Sequence, residues 1–284
     1  MSYRITDCRG VSPQDLCAAM NTAFSDYLVP MHMSESRFSQ FQRQRGFSAR
    51  HSFVALKDGR VAAFWFSSPP DRRYGSRAYT LSVGTDPAHR RKGLSRGLLE
   101  AVLDVQRAEA ASGLQLEVIT TNAKAVSAYE KLEFQRHRTL RVYKLQKAAL
   151  QEANSGRWSI GMLEIDELPA DEGAYFDTEP TPQNSRSAMI ALSPDVHLVG
   201  ARHNGRLLGW AAAFEDGAVA QLAVHRDHRR RGLGKALLSE LATRTRGEQL
   251  NFVNVDEAAE GLNAFLGGAG AEELLKQFEM RLVL

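Results

Sequence analysis

The first half of the chain carries hydrophobic residues at the spacings of helices and strands. Leu16, Met20 and Phe24 recur at every fourth position behind Ser12, which predicts a helix capped by that serine. Alternating apolar residues on both sides of Asp58-Gly59 predict a β-hairpin, because this dipeptide favours a tight turn. The same spacings predict the remaining elements of this half: a helix over 34–45, a strand over 78–83, a helix over 93–111, a strand over 114–119, a helix over 122–132 and a strand over 139–145.

The second half repeats this order in a shorter form. Its hairpin is predicted around Asn204-Gly205, with strands over 196–201 and 206–214. Strands interspersed with helices indicate an α/β or α+β fold class. The further predicted elements are a strand over 218–224, a helix over 233–244, a strand over 250–255, another helical segment and a final strand over 278–284.

One short segment occurs twice. The sequence from Arg90 to Leu94 recurs from Arg229 to Leu233, with two arginines first, glycine fourth and leucine fifth. The separation of the two copies is far longer than a solenoid repeat and is the size of a whole domain. The sequence therefore predicts a duplicated domain, with the first copy over 1–147, a polar linker over 148–157 and the second copy over 158–284.

Composition indicates an ordinary globular protein. Of 284 residues, 43% are hydrophobic and 24% are charged, which argues against disorder. Cys8 and Cys17 are too few for a disulfide framework or a cysteine zinc site, and we expect a cytoplasmic protein. No secretory signal or membrane span is visible, so we expect no membrane partner. A net charge of +3 is too small to indicate a nucleic-acid partner.

In both copies of the repeated segment, a predicted strand runs through a basic turn directly into a helix. The first turn of a helix has unpaired N–H groups, and glycine lets an anion approach them closely. The pattern predicts a phosphate or pyrophosphate cradle, although its glycine spacing fits neither a Walker loop nor a dinucleotide fingerprint. The alternative is a solvated helix start, which the second copy makes the weaker interpretation. The predicted cradle residues are Arg90, Arg91, Lys92, Gly93, Leu94, Ser95 and Arg96, and Arg229, Arg230, Arg231, Gly232, Leu233, Gly234 and Lys235.

These turns resemble the acetyl-CoA signature of the GNAT acetyltransferases, Arg-x-x-Gly-x-Gly/Ala between the fourth strand and the next helix. The second copy fits it fully, whereas the first has Ser95 at the last position. The resemblance covers both halves and implies two tandem GNAT-like domains, each a mixed, mostly antiparallel sheet flanked by helices. It also implies acetyl-CoA as cosubstrate, no metal, and coenzyme contacts along the fourth strands at Val83, Gly84 and Thr85, and at Leu222, Ala223 and Val224.

A second GNAT landmark is an Asn ahead of a helix that carries a Tyr. By resemblance, Asn122 contacts the pantetheine arm and Tyr129 protonates the departing thiolate, while a plain core position is the alternative for Tyr129. The second half has no tyrosine after Tyr175, and Phe265 or Asn263 takes the corresponding place. The chemistry is therefore expected in the first domain. The alternatives are catalysis in the second domain, or a non-enzymatic acyl-CoA sensor or scaffold.

The implied reaction is acetyl transfer by direct attack of a primary amine, carried by an unidentified small-molecule or peptide acceptor. Glu117 is a candidate general base, with an ordinary surface-strand position as the alternative. His89 is a candidate phosphate neighbour or a solvated side chain. Residues 21–31 are a candidate acceptor pocket in which Asp26 attracts a cationic amine; packing and turn roles are the alternative.

Overall fold

The chain folds into two compact units. The computed structural model describes residues 2–26, 32–150 and 158–284. The first unit comprises the residues up to His137 together with Glu279–Leu284, and the second comprises Arg138–Phe278. The units thus differ from the predicted domains, because each contains a short segment from the other half of the sequence. Residues 151–157 of the predicted linker lie outside the described part of the chain.

The first unit is a mixed, mostly antiparallel sheet with helices. Its strands are ordered β1-β2-β3-β4-β5, with antiparallel pairing from β1 to β4 and parallel pairing between β4 and β5. Every predicted element of this half is confirmed, and β1 is an addition. The elements are β1 (Arg4–Asp7), α1 (Pro13–Ala23), α2 (Glu35–Gln44), β2 (Phe53–Lys57), β3 (Arg60–Asp71), β4 (Arg77–Thr85), α3 (Leu94–Ala108), β5 (Gly113–Ile119) and α4 (Ala123–Lys131).

The second unit repeats this architecture with the order β7-β8-β9-β10-β11-β6. Its short helix α5 spans too few residues to show a helical period, and the sequence did not predict it. The elements are β6 (Gln135–Gln146), β7 (Ser159–Met162), α5 (Arg186–Leu192), β8 (Val196–His203), β9 (Arg206–Phe214), β10 (Ala218–Val224), α6 (Leu233–Ala242), β11 (Gln249–Asp256), α7 (Glu260–Gly268) and β12 (Glu272–Val283).

Local chemistry explains the elements that the sequence predicted. The Ser12 hydroxyl accepts a hydrogen bond from the Asp15 amide and caps α1, whose buried face includes Leu16 and Met20. Both hairpin turns, at Asp58-Gly59 and Asn204-Gly205, have positive φ at both central residues. That is the conformation of a type I′ turn, which matches the twist of the strands it joins.

Two strands lie in a different unit from the one that their positions in the sequence predict. Strand β6 pairs antiparallel with β11, with Tyr143 opposite Phe252, so most of it belongs to the second unit. The end of β12 lies beside β5 in the first unit, where the Leu284 amide donates to the Ser112 carbonyl at 3.1 Å. The alternating apolar residues of β6 are compatible with a place in the sheet of either unit. The partner of β6 is therefore decided by tertiary packing.

Both units interrupt their central parallel pair at the same place. The registered pairs of β4 and β5 end at Tyr79–Gln115, and those of β10 and β11 end at Val219–Phe252. Just beyond, β4 carries an extra residue at Leu81 and β10 one at Ala220, and these two positions correspond when the basic turns are aligned. Such bulges reverse the inward and outward alternation of a strand and bend it. The second part of each strand therefore leaves its parallel neighbour and leads into the basic turn.

No helix in the described ranges has both the length and the apolar character needed to cross a lipid bilayer.

The docking of the end of β12 is testable at Gly113. A Cβ atom at Gly113 would overlap the Leu282 carbonyl oxygen. We expect Gly113→Ala to displace this end of β12 and to lower the free energy of unfolding by about 1–3 kcal/mol. Gly59→Ala is the control, since both glycines have positive φ (157° and 80°) but a Cβ at Gly59 meets no atom within 4 Å. Hydrogen exchange should locate the loss at β5, and equal stability of both variants would contradict this docking.

Candidate functional site

The two basic turns have the same backbone path. Arg91 (φ 62°) and Gly93 (φ 74°) are left-handed in the first unit, as are Arg230 (φ 60°) and Gly232 (φ 82°) in the second. Each glycine is the N-cap of the following helix, α3 or α6, and no side chain caps either helix. The N–H groups of the first helical turn therefore have no side-chain acceptor. This is the backbone geometry that the predicted anion cradle requires, and it occurs twice.

The surroundings of each cradle leave room for an anion. A Cβ atom at Gly93 or Gly232 would meet no atom within 4 Å, so the space in front of the helix is open. Leu94 and Leu233 are buried, and they present only their main chain to this space. Ser95 and Gly234 are half-buried behind them. The exposed cations around the two helix starts are Arg91, Lys92 and Arg96, and Arg230 and Arg231, with Lys235 half-buried.

The first arginine of each turn makes contacts that the sequence did not predict. Both terminal nitrogens of Arg90 donate to the Asp26 carboxylate, at 2.6 and 2.7 Å, and one also donates to the Ala23 carbonyl. Its Nε donates to the Thr85 carbonyl. The guanidinium thus ties the segment after α1 to the end of β4 instead of standing over the cradle.

Arg229 repeats this arrangement in the second unit. It donates to the Asp177 carboxylate at 2.7 Å, to the Tyr175 carbonyl and to the Val224 carbonyl. The carbonyl groups of Thr85 and Val224, both predicted coenzyme contacts, therefore already accept a hydrogen bond from the protein. Two independent copies of the same clamp indicate that its function is to fix the turn.

The clamp also changes the interpretation of the predicted acceptor pocket. Asp26 was expected to attract a cationic amine, but its carboxylate is bound to Arg90, which lowers the pKa of that carboxyl. Residues 27–31 of the stretch lie outside the described part of the chain. His89 was expected beside phosphate or in solvent, and its Nδ1 lies 2.9 Å from the Tyr3 hydroxyl.

The residues of β4 and β10 that were predicted to contact the coenzyme point to different faces of the sheet. Gly84 lacks a side chain because a Cβ there would overlap the Phe64 ring. Beyond the bulge, Val83 and Thr85 therefore point to the face of the sheet opposite Phe64. In the second unit, Leu222 and Val224 pack with the core that includes α6, whereas Ala223 belongs to the core on the other face.

Tyr129 lies on α4, which follows β5. Asn122 is the N-cap of this helix, and its side-chain oxygen accepts from the Ala125 amide at 3.2 Å. The half-buried Tyr129 ring packs edge-on against Trp65, with ring centroids 6.3 Å apart, and against Phe134 at 5.7 Å. Since Trp65 is fully buried, it fixes the ring of Tyr129.

The residue that corresponds to Tyr129 in the second unit is neither Phe265 nor Asn263. The hydrogen bond from Phe134 N to the Tyr129 carbonyl has its counterpart in the bond from Ala271 N to the Leu266 carbonyl. Leu266 is fully buried and takes the place of the phenol. The predicted correspondence was wrong because the second copy is shorter than the first between its basic turn and this helix.

Glu117 is part of a buried polar cluster. The Tyr79 hydroxyl donates to its Oε2 at 2.5 Å, and the Arg45 guanidinium also hydrogen-bonds the Tyr79 hydroxyl. Sequence reasoning missed both residues, because the pairing of β4 with β5 brings Tyr79 to Glu117 and the position of α2 brings Arg45 to Tyr79.

Asn254 takes the position of Glu117 in the second unit. This correspondence is counted back along the chain from the equivalent helix N-caps, Asn122 of α4 and Ala259 of α7. The Asn254 side chain hydrogen-bonds Thr181 and Gln277. A neutral amide therefore stands where the first unit has a carboxyl group.

A cleft lies between the diverging ends of β10 and β11. Its empty volume is about 510 Å³ when the open solvent at its mouth is included. Leu222 on β10 and Phe252 on β11 form its apolar walls, and Asn254 and Glu179 add polar groups. Within the described ranges, no three His, Cys, Asp or Glu side chains group closely enough to hold a metal ion.

The two cysteines lie in the core of the first unit, away from the cradle. Burial raises the pKa of the Cys8 thiol to about 12 and also raises that of Cys17. Because the thiolate is the reactive form, we expect neither to react with a chromogenic disulfide at pH 8 in the folded protein. Denaturant should release two thiols per chain, and rapid labelling of the native protein would contradict the burial.

Comparisons with known proteins agree with this geometry. The model of the acetyltransferase (GNAT) family matches residues 17–134 and 162–266. The [ribosomal protein bS18]-alanine N-acetyltransferase of Escherichia coli K12 is 31% identical over 120 residues, which are 42% of this chain and 74% of that protein.

Two solved structures share the fold of the whole chain. A GCN5-related N-acetyltransferase from Sphaerobacter thermophilus has a TM-score of 0.71 at 16% identity, covering 99% of this chain and 95% of that one. A tandem GNAT protein from the clavulanic acid biosynthesis pathway has a TM-score of 0.67 at 14% identity, covering 99% and 98%. At these identities the likeness concerns the fold alone.

Proposed function

Because the chain belongs to the GNAT acetyltransferase family, we propose that its first unit transfers an acetyl group from acetyl-CoA to a primary amine. The observation that carries this proposal is the difference between the two units. Both have the cradle, but only the first combines it with a phenol at Tyr129 and a carboxylate at Glu117. In the second unit, Leu266 and Asn254 take these two places, and neither side chain titrates in the physiological range.

The cradle supports binding of the coenzyme through its pyrophosphate. The N–H groups of the first turn of α3 point into open space, where the helix dipole and Arg91, Lys92 and Arg96 favour an anion. The end of β4 no longer pairs with β5, so its main chain is available to the pantetheine arm and the thioester. Backbone amides there polarise the carbonyl oxygen that becomes negative as the amine attacks.

The transfer requires one base and one acid. Glu117 accepts the proton of the attacking amine, the new bond forms between the amine nitrogen and the acetyl carbon, and the carbon–sulfur bond breaks. Tyr129 gives its proton to the departing thiolate. Its packing against Trp65 fixes the ring for this step.

For the second unit we propose coenzyme binding without turnover. It retains the cradle and an open cleft between β10 and β11, whereas the positions of the acid and the base have lost their titrating groups. This arrangement suits a regulatory or structural site for an acyl-CoA. It argues against the alternative that catalysis takes place in the second unit.

The acid is tested by Tyr129→Phe. We expect turnover to fall by about 10²–10⁴-fold while the affinity for acetyl-CoA stays within about twofold, because only proton donation is lost. Release of CoA would be followed with a panel of acceptors: a peptide with an N-terminal alanine, chosen because the E. coli relative acts on an alanine of a ribosomal protein, then spermidine and an aminoglycoside. Full turnover in Tyr129→Phe would remove Tyr129 from the mechanism.

The cradles are tested by calorimetric titration with acetyl-CoA. We expect two sites per chain, of which Gly93→Glu removes one together with turnover and Gly232→Glu removes the other with turnover retained. In each case a carboxylate enters the anion site. The matched controls Gly93→Ala and Gly232→Ala carry the same strain of a non-glycine residue at positive φ without the charge. Loss of binding in the alanine variants as well would mean that strain, not charge, is responsible.

A further inference from the structure

The polar cluster around Glu117 is built from three elements of the first unit. Tyr79 lies on β4, Glu117 on β5, and Arg45 directly after α2. The register that pairs Tyr79 with Gln115 places the side chains of Tyr79 and Glu117 on the same face of the sheet. That face carries α1 and α2, because Tyr79 belongs to the core formed with these helices. The cluster thus lies where β4 and β5 begin to diverge.

The contacts of Tyr79 are more specific than packing requires. Its side chain is 4% exposed, so its hydroxyl needs a partner, and any backbone carbonyl would satisfy it. It donates instead to a carboxylate at 2.5 Å while a guanidinium hydrogen-bonds the same hydroxyl. Burial, followed by the charge of Glu117, raises the pKa of Tyr79 well above its usual value, so the phenol keeps its proton.

The guanidinium beside the Tyr79 hydroxyl is itself held in place. Arg45 is held in place by stacking on the Phe41 ring, 4.4 Å from its centroid. Positive charge and hydrogen-bond donors favour the ionised form of a half-buried carboxyl group, which burial alone would disfavour. A general base must be ionised to accept a proton.

The second unit lacks this cluster as a whole. When the basic turns are aligned, Ala218 on β10 stands at the place of Tyr79 on β4. Counting back from the equivalent helix N-caps places Asn254 where the first unit has Glu117. The phenol that supports the carboxylate is therefore absent from the unit where the carboxylate itself is absent. Both units share the fold, but a tyrosine stands at this position only in the unit that also has the carboxylate.

We propose that Tyr79, supported by Arg45, is a positioning residue that keeps Glu117 ionised and fixes its orientation toward the acceptor amine. This inference rests on the proposed function, in which Glu117 accepts the proton of that amine. It adds Tyr79 to the residues required for turnover, on the face of the sheet that carries α1 and α2 and separate from the coenzyme cradle.

The first test is the pH dependence of kcat/KM in Tyr79→Phe, with the best acceptor of the panel above. We expect the acid limb to move upward by about one to two pH units, because a hydrogen bond to the charged carboxylate is lost. The KM for acetyl-CoA should stay unchanged. Tyr74→Phe is the matched control, since it removes the same atom from another buried tyrosine of this unit. Superimposable profiles of wild type and Tyr79→Phe would overturn the inference and leave the proposed function intact.

A second test does not depend on turnover. Difference infrared spectroscopy, with Glu117→Gln as the reference, reports the protonation of this carboxyl directly. We expect its titration midpoint to rise by about one pH unit or more in Tyr79→Phe. Arg45→Gln should move it in the same direction and replaces Tyr79→Phe if that variant fails to fold. An unchanged midpoint would refute the role of Tyr79, whereas a shifted midpoint in a protein that acetylates no amine would instead refute the proposed function.

Discussion

The structure depends on the point where β4 stops pairing with β5. Backbone N–H and C=O groups need partners, and in a parallel sheet the neighbouring strand normally provides them. Here the registered pairs end at Tyr79–Gln115 and a bulge at Leu81 turns the remainder of β4 away. The edge of β4 that faces away from β3 is thus available to a ligand beyond the bulge, except at the Thr85 carbonyl, which accepts from Arg90. The helix that follows begins at an uncapped N-terminus, so the same ligand also meets the positive end of a helix dipole.

Comparison of the two units separates the features proposed for coenzyme binding from those proposed for proton transfer. The bulge, the basic turn, the left-handed glycine and the arginine clamp occur in both units with nearly identical geometry. The proposed acid and base positions do not, since Leu266 and Asn254 stand where the first unit has Tyr129 and Glu117. The cradle consists mainly of backbone, which many sequences can form once a glycine is present. Proton transfer depends on particular side chains and is lost with a single substitution.

Strands β6 and β12 limit where the chain can be cut into two folding units. Most of β6 completes the second unit, and the end of β12 lies in the first. Tyr143 of β6 is buried in the core of the second unit, where its hydroxyl donates to Asn263 on α7 at 2.9 Å. A cut at the linker would therefore remove a core strand from the second unit. Each unit needs residues from both halves of the sequence.

The sequence by itself determined the features that arise from neighbouring residues. The hairpins at Asp58-Gly59 and Asn204-Gly205, the Ser12 cap and the two glycine turns each depend on a few consecutive residues, whose preferences are local. The pattern of strands and helices predicted the fold class, and the two glycine turns carried the resemblance to the GNAT family.

Tertiary structure alone decided the contacts between residues far apart in the chain. Arg90 binds Asp26, the Tyr79 hydroxyl donates to Glu117, Leu266 takes the place of Tyr129, and β6 completes the second unit. An arginine, a tyrosine or an apolar strand has many possible partners, and its sequence does not distinguish among them. Strand register, bulges and burial select one.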